Sequence, residues 1–308
     1  MPLHSAFAAK LNTTVLAGLT SLDVATQPEV DNESSIGSPF PQFVVITAQK
    51  PRIQFATRAV ATTLAVTGST GAAISASANF FAYFAQIGAD GLTAAGSVHR
   101  SYTATRGLLL PRRLSVNHRS NATLDVEALC YSSDGAAHPL AIADNAALPT
   151  IAQNNIQHTL GGITLGTTGV TFALSCAQSL SIDFGQDSQT IGCGSDLYDA
   201  HVQQASIRPV ITITGLDATA FGASGVPPVG KAMAHAATRI YLRKRSVDGV
   251  AFVPNGTAEH IKLTVHGVGV VTQHNAQGTA RAEVTLQITC GWDGTNAPIV
   301  IDTASTIV

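Results

Sequence analysis

Charge is scarce in this chain. Asp, Glu, Lys and Arg make up 12% of its 308 residues, about half the share usual in a globular protein. Apolar residues reach 45%. A soluble monomer keeps a more charged surface, so the shortage implies that neighbouring molecules cover much of this one, as in obligate assemblies with large apolar interfaces. A β-rich domain clothed in Thr, Ser, Asn and Gln is the open alternative. The net charge of −2 excludes a generic nucleic-acid binder by overall balance.

Other absences narrow the function. Trp292 is the single tryptophan, which argues against a carbohydrate-binding module built on aromatic platforms. The four cysteines form no CxxC pair, so no zinc site is expected. The first residues lack the basic-then-apolar order of a secretory signal, so reduced thiols are expected, with Cys176 and Cys193 free to lie near one another. The uncharged span between Arg58 and Asp90 is broken by Gly68, Gly71 and many Thr and Ser. It therefore lacks the roughly 20 apolar residues of a membrane helix.

Catalytic and metal-binding patterns are missing too. No P-loop, G-x-G-x-x-G or G-x-S-x-G occurs, and Asp199 near His201 is no triad by itself. His260 and His266 fall on one strand about 20 Å apart at ~3.3 Å per residue, too far to share an ion. They read as exposed polar strand positions. Asp183, Asp187, Asp196 and Asp199 lack the spacing and closing Glu of a calcium loop. No catalytic residue, metal or cofactor is expected, and the chain does not read as an enzyme.

What is present is a repeat. Cys130, Asp134-Gly135 and Pro139 recur as Cys290, Asp293-Gly294 and Pro298, at separations of 160, 159 and 159 residues. Pro51 recurs as Pro209, Asp90-Gly91 as Asp248-Gly249, and Ser21-Leu22-Asp23-Val24 as Ser179-Leu180-Ser181-Ile182, each 158 residues on. Ile36-Gly37 answers to Ile191-Gly192 at 155. Ordered anchors at near-constant spacing mark an internal duplication, with copies at 1–150 and 151–308. Cys130 and Cys290 then become equivalent core residues rather than disulfide partners.

Charge is segregated within each copy. No Lys or Arg lies between Lys10 and Lys50, where Asp23, Glu29, Asp31 and Glu33 occur. None lies between Arg119 and Arg208, where Asp183, Asp187, Asp196 and Asp199 occur. Basic residues follow, including Arg106, Arg112 and Arg113 in the first copy and Arg243, Lys244 and Arg245 in the second. The basic groups are expected at inter-subunit interfaces, facing acidic neighbours. The acidic stretches, rich in turn residues, are expected as long loops or arms.

Period-two alternation dominates the rest. Ile261, Leu263 and Val265 share one strand face, as do Ala282, Val284, Leu286, Ile288 and Cys290, and the polar loop 273–278 joins the two strands into a long hairpin. Residues 107–116 and 122–131 repeat the arrangement. Val60 and Leu64 share a helical face after the strand that Pro51 leads. Asp217 caps a matching short helix at 217–221. The expected fold is mainly β: two tandem copies of a β-sandwich or barrel domain, each with a short flanking helix and long loops.

The pattern Gly107-Leu-Leu-Leu-Pro111, polar hairpin, alternating strand, then Asp134-Gly135 with Pro139-Leu140, resembles the major tail tube proteins of long-tailed bacteriophages. The second copy, ending in Trp292-Asp293-Gly294 and Pro298-Ile299, is similar, and so is the strand led by Pro209 before a short helix. The resemblance implies a β-sandwich with a helix, six domains per ring, inner strands joined into one barrel, and rings stacked into a tail that conducts DNA without binding it specifically. A duplicated chain implies three chains per ring. It further implies other tail proteins as partners, no membrane, and a place in the virion tail after assembly in the host cytoplasm. The acidic stretches would line the lumen or reach the next ring. Another virion component, such as a tail-tip hub or capsid decoration protein, is the alternative.

Overall fold

The computed structural model describes residues 3–33, 40, 43–152, 157–167, 170–174, 176–194, 196–216, 228–276 and 282–308. The chain is mainly β; the described residues are 64% strand and 3% helix. In the N-terminal half the elements are β1 (Leu3–Leu11), β2 (Thr14–Leu16), β3 (Leu19–Glu33), β4 (Phe43–Thr57), α1 (Val60–Thr67), β5 (Ala72–Ile74), β6 (Phe80–Ile87), β7 (His99–Ala104), β8 (Gly107–Asn117), β9 (Thr123–Cys130) and β10 (Leu140–Ala146). The C-terminal half holds β11 (His158–Thr167), β12 (Val170–Leu174), β13 (Ala177–Asp183), β14 (Gln186–Ile191), β15 (His201–Ile207), β16 (Val210–Leu216), β17 (Ala232–Lys244), β18 (His260–Asn275), β19 (Glu283–Cys290) and β20 (Ile299–Ser305).

The strand pairings of the two halves run in parallel. β1 pairs with β2 and β6, and β11 with β12 and β17. β7 pairs with β6 and β10, while the N-terminal part of β18 pairs with β17 and β20. β4 lies between β3 and β9, and β16 between β13 and β19. Registers agree as well. Asp23 faces Gln54 and Ser181 faces Thr212, while Arg52 faces Leu129 and Val210 faces Thr289. Bulges follow Pro111 and Val271, 160 residues apart, and Glu29 and Asp187, 158 apart.

Local hydrogen bonding shows the same agreement. The Asp134 carboxylate accepts from the amides of Ala136 and Ala137, and that of Asp293 from Thr295 and Asn296. His99 and His260 are both buried, and each Nδ1 accepts a backbone amide, from Gln86 and Lys244 respectively. At Gly107 and Gly267 the backbones meet so closely that a Cβ would lie 2.3 Å from the Leu129 carbonyl oxygen and 2.2 Å from that of Thr289.

One contiguous hydrophobic cluster runs through both halves, and Ile261, Leu263, Val265, Val284, Leu286, Ile288, Cys130 and Cys290 all belong to it. The predicted hairpins form as β8–β9 and β18–β19. Val60 and Leu64 of α1 are buried as their spacing requires. The helix lacks a side-chain N-cap and ends at Gly68, φ +58°. The helix expected at 217–221 and the Ile36-Gly37 anchor lie outside the described residues.

Two expectations are corrected. The acidic stretches are largely strands: Asp23, Glu29, Asp31 and Glu33 lie on β3, which makes one ladder with β4, and Asp183 and Asp187 lie on β13 and β14, while Asp196 and Asp199 lie in the loop between β14 and β15 as expected. Their turn-forming residues are tolerated because these strands lie at edges, where Pro28 gives up no essential ladder bond. His260 and His266 are buried rather than exposed. His260 Nε2 lies 3.1 Å from the Pro254 carbonyl, and His266 Nδ1 lies 3.2 Å from the Asp293 carboxylate. Period-two alternation implies a solvent face only where no second layer covers it, and here a loop and a turn do.

Candidate assembly interface

The halves meet edge to edge. β8 pairs antiparallel with β13, setting Arg113 opposite Asp183 and Asn117 opposite Ser179. This joint makes eight strands continuous, in the order β18-β19-β16-β13-β8-β9-β4-β3. Alternation gives the run two faces. Ile182, Ile211, Ile213, Leu114, Leu124, Val126, Ile53 and Phe55 turn into the core. Ser179, Ser181, Thr212, Thr285, Gln287, Ser115, Gln54, Ser21 and charged residues occupy the other face. Five carboxylates (Asp23, Asp125, Glu127, Asp183, Glu283) accompany three guanidiniums (Arg52, Arg112, Arg113) there, so this face is polar and mildly acidic.

Arg112 is the electrostatic centre of the joint. Its Nε and Nη2 lie 2.7 and 2.6 Å from one Glu127 oxygen, and its Nη1 donates to the Gln186 carbonyl across the joint. Glu127 is buried, and it also accepts from Gln54 Nε2 at 3.0 Å and has Arg52 at 3.6 Å. A carboxylate taken from water needs this compensation. Arg113 donates to Ser181 Oγ at 3.0 Å. Burial raises the Asp125 pKa, and the neighbouring Arg113 charge offsets part of that rise.

The β14–β15 hairpin clamps the joint from outside. Gly185, at φ +56°, bends the strand; a Cβ there would lie 1.9 Å from the Arg208 carbonyl oxygen, so only glycine fits. The bend lays the hairpin on the N-terminal half. Gln186 Nε2 donates to the Ser69 carbonyl at 2.7 Å, and Gln204 Nε2 to that of Thr70 at 3.1 Å. The hairpin loop covers the Asp134-Gly135 turn: the Tyr198 amide donates to the Gly135 carbonyl at 3.0 Å, the Ser132 amide to that of Asp199 at 2.7 Å, and the Gln49 amide to that of Leu197 at 2.9 Å. The Tyr198 ring meets His138 edge-on, with centroids 5.1 Å apart.

The expected site residues are only partly brought together. Arg112, Arg113 and Asp183 meet at the joint, and Asp199 is buried in the clamping loop with its charge near Lys50. Asp196 accepts from the Cys193 amide in the clamping loop, and Asp187 lies in β14. Asp23 lines an open cleft of 320 Å3 with Gln54, Arg112, Asp125 and Glu127. Glu29 pairs with Lys50, raising the Lys50 pKa chiefly through their hydrogen bond, and Asp31 is exposed further along β3. Glu33 ends β3, and its side chain lies outside the described residues. Arg243, Lys244 and Arg245 are not brought to the joint. Arg243 and Arg245 stack on the Phe252 ring at 4.6 and 4.9 Å, and Lys244 pairs with Glu259 at 2.7 Å. Arg106 is exposed between β7 and β8.

Sequence reading missed Gly185, Gln186, Tyr198 and Ser132. Continuing the 158-residue spacing through the hairpin would have matched Tyr198 to Phe40 and Gly185 to Gln27.

Among the described residues, the eight-strand run has open backbone along β3 and along β18 beyond Val270. Among the described residues β3 pairs only with β4. Beyond Val270, β18 has β19 on one side and, among the described residues, no strand on the other; the Gly230 amide bonds the Val271 carbonyl there. An edge of unpaired backbone is a template for another strand. Among the described residues no group of three or more His, Cys, Asp and Glu could hold a metal ion, and no helix is long and apolar enough to cross a membrane. No protein-family model matches the chain, and no curated protein shows significant similarity to it.

Proposed function

We propose that the chain is a structural subunit of a long-tailed bacteriophage tail tube, built from two copies of one β domain and polymerising as stacked rings of three chains around a lumen that conducts DNA. One observation carries the reading. The halves, alike in pairing and register, are joined edge to edge by β8 and β13, and among the described residues the counterparts of those two edges, on β18 beyond Val270 and on β3, carry no further strand. A head-to-tail joint of this kind repeats until rotation closes the ring.

The polar, mildly acidic strand face supports a lumen wall. Carboxylates repel the phosphate backbone, so DNA slides past rather than binding. The scarcity of charge and the exposed Val30, Val44, Val45 and Ile46 on the β3–β4 hairpin support extensive burial by neighbours. Self-association is thus the principal partnership, with other tail proteins at the ends of the tube.

Negative-stain microscopy of the purified protein tests this. Rings or stacked tubes with a central hole are expected. A protein that stays monomeric at high concentration and in precipitating salt contradicts the reading.

A further inference from the structure

Where the β14–β15 hairpin clamps the joint inside the chain, its counterpart β3–β4 lies at the end of the strand run. The β3–β4 hairpin matches β14–β15 residue for residue, since Glu29 faces Ala48 and Val30 faces Ile46 just as Asp187 faces Ser206 and Ser188 faces Gln204, each 158 residues on. Nine residues separate Glu33 from Phe43 and nine separate Ile191 from His201, which places Phe40 at the sequence position of Tyr198. Tyr198 is 9% exposed, covered by the Gly135 turn and His138, whereas Phe40 is 74% exposed.

The turn that Tyr198 covers has a counterpart as well. Asp134-Gly135 corresponds to Asp293-Gly294, with the same side-chain-to-backbone bonds and a left-handed glycine, φ +78° and +97°. Trp292, directly before this turn as Ser133 is before the other, is 71% exposed. A large exposed aromatic on each of two complementary surfaces is the composition of an interface anchor.

We infer that Phe40 of one chain clamps the Trp292–Asp293–Gly294 turn of the next, repeating between chains the contact that Tyr198 makes within one. The occupant is a second copy of this chain, because the same loop already seats on the same turn intramolecularly. Gln27 stands where Gly185 bends the other hairpin, so the β3–β4 hairpin lacks the glycine that makes that bend possible. Trp292 in place of Ser133 sets a large aromatic side chain directly before the turn. Val44 and Ile46, exposed on the same strand face, extend the apolar surface that Phe40 begins. The clamp rests on the head-to-tail assembly proposed above.

Trp292 is the only tryptophan, so its fluorescence reads the clamp directly. Emission of the wild type is expected to shift to shorter wavelength, and acrylamide quenching to fall, when rings form. Phe40→Ala is expected to cut this shift severely while microscopy still shows particles held by the strand edges; Phe40→Tyr, matching Tyr198, restores it. Rings in which Trp292 stays as quenchable as in the monomer, or in which Phe40→Ala leaves the shift whole, overturn the clamp and leave the assembly reading intact. Absence of any particle overturns both.

Discussion

Removing the Arg112 guanidinium tests the joint at its electrostatic centre. In Arg112→Ala, buried Glu127 loses both contacts of 2.6–2.7 Å and keeps only Gln54 and the more distant Arg52. The bridge to the Gln186 carbonyl is lost with them. Breaking a fully buried ion pair costs about 3–5 kcal/mol because the remaining charge is stranded. Arg112 is 29% exposed and Arg52 can take up part of the charge, so about 2–3 kcal/mol is expected. At roughly 2 °C per kcal/mol for a chain of this size, the melting temperature falls by about 4–6 °C. Thermal and urea melts of the unassembled chain give the value. A double-mutant cycle with Glu127→Ala should show a coupling of at least about 1.5 kcal/mol, as for residues in one network. Arg112→Lys should recover little, since an ammonium cannot reach Glu127 and the Gln186 carbonyl together. A loss within about 0.5 kcal/mol, the range of ordinary surface substitutions, refutes the reasoning that this pair ties the halves.

Three further outcomes follow from local geometry. His235 is buried, its Nε2 has no hydrogen-bond partner, and burial lowers its pKa from 6.5 to about 4; the unfolded chain therefore takes the proton first, and stability should fall by up to about 3 kcal/mol as pH drops from ~6.5 through ~4. Urea midpoints across that range should slope less in His235→Gln, and identical slopes contradict the assignment. Gly107→Ala and Gly267→Ala each force a Cβ to within 2.3 and 2.2 Å of a carbonyl oxygen, so each should cost on the order of 3 kcal/mol, and melts that change by less than about 1 kcal/mol would speak against the close approach. Gly185→Ala combines a positive φ with a 1.9 Å clash, so limited proteolysis should cut the released β14–β15 loop many times faster than in the wild type; equal cleavage counts against the bend.

Much of the fold was legible because its signals are local. Alternation at Ile261, Leu263 and Val265 located β18, and the recurring Asp-Gly turns located the ends of β9 and β19. The burial of His260 was not legible, since a strand pattern does not reveal a second layer formed by a distant loop. The acidic stretches misled for a related reason: edge strands carry Pro28, Asp31 and Asn32 without losing their ladder, so composition there resembles a loop. The joint was legible only in part. Arg112 and Arg113 stood out as basic residues, but their partners Glu127, Gln186 and Ser181 are brought to them by pairing across as many as 74 positions. Trp292 beside its Asp-Gly turn was visible in the sequence, yet its meaning depended on the loop that covers the Asp134-Gly135 turn.

Head-to-tail pairing of β18 with β3 is the central claim, and its register is set by the joint inside the chain. Ser115 faces Ser181 there, and the corresponding residues are Asn275 and Asp23 of successive chains. Directly opposed antiparallel residues lie within disulfide reach. In a background with Cys176 and Cys193 replaced by Ser, Asn275→Cys with Asp23→Cys should oxidise to a ladder on a non-reducing gel that stops at three chains, while Asn275→Cys with Val24→Cys should not cross-link. Assembled particles that give no cross-link at the first pair, or that link only at the second, contradict the account.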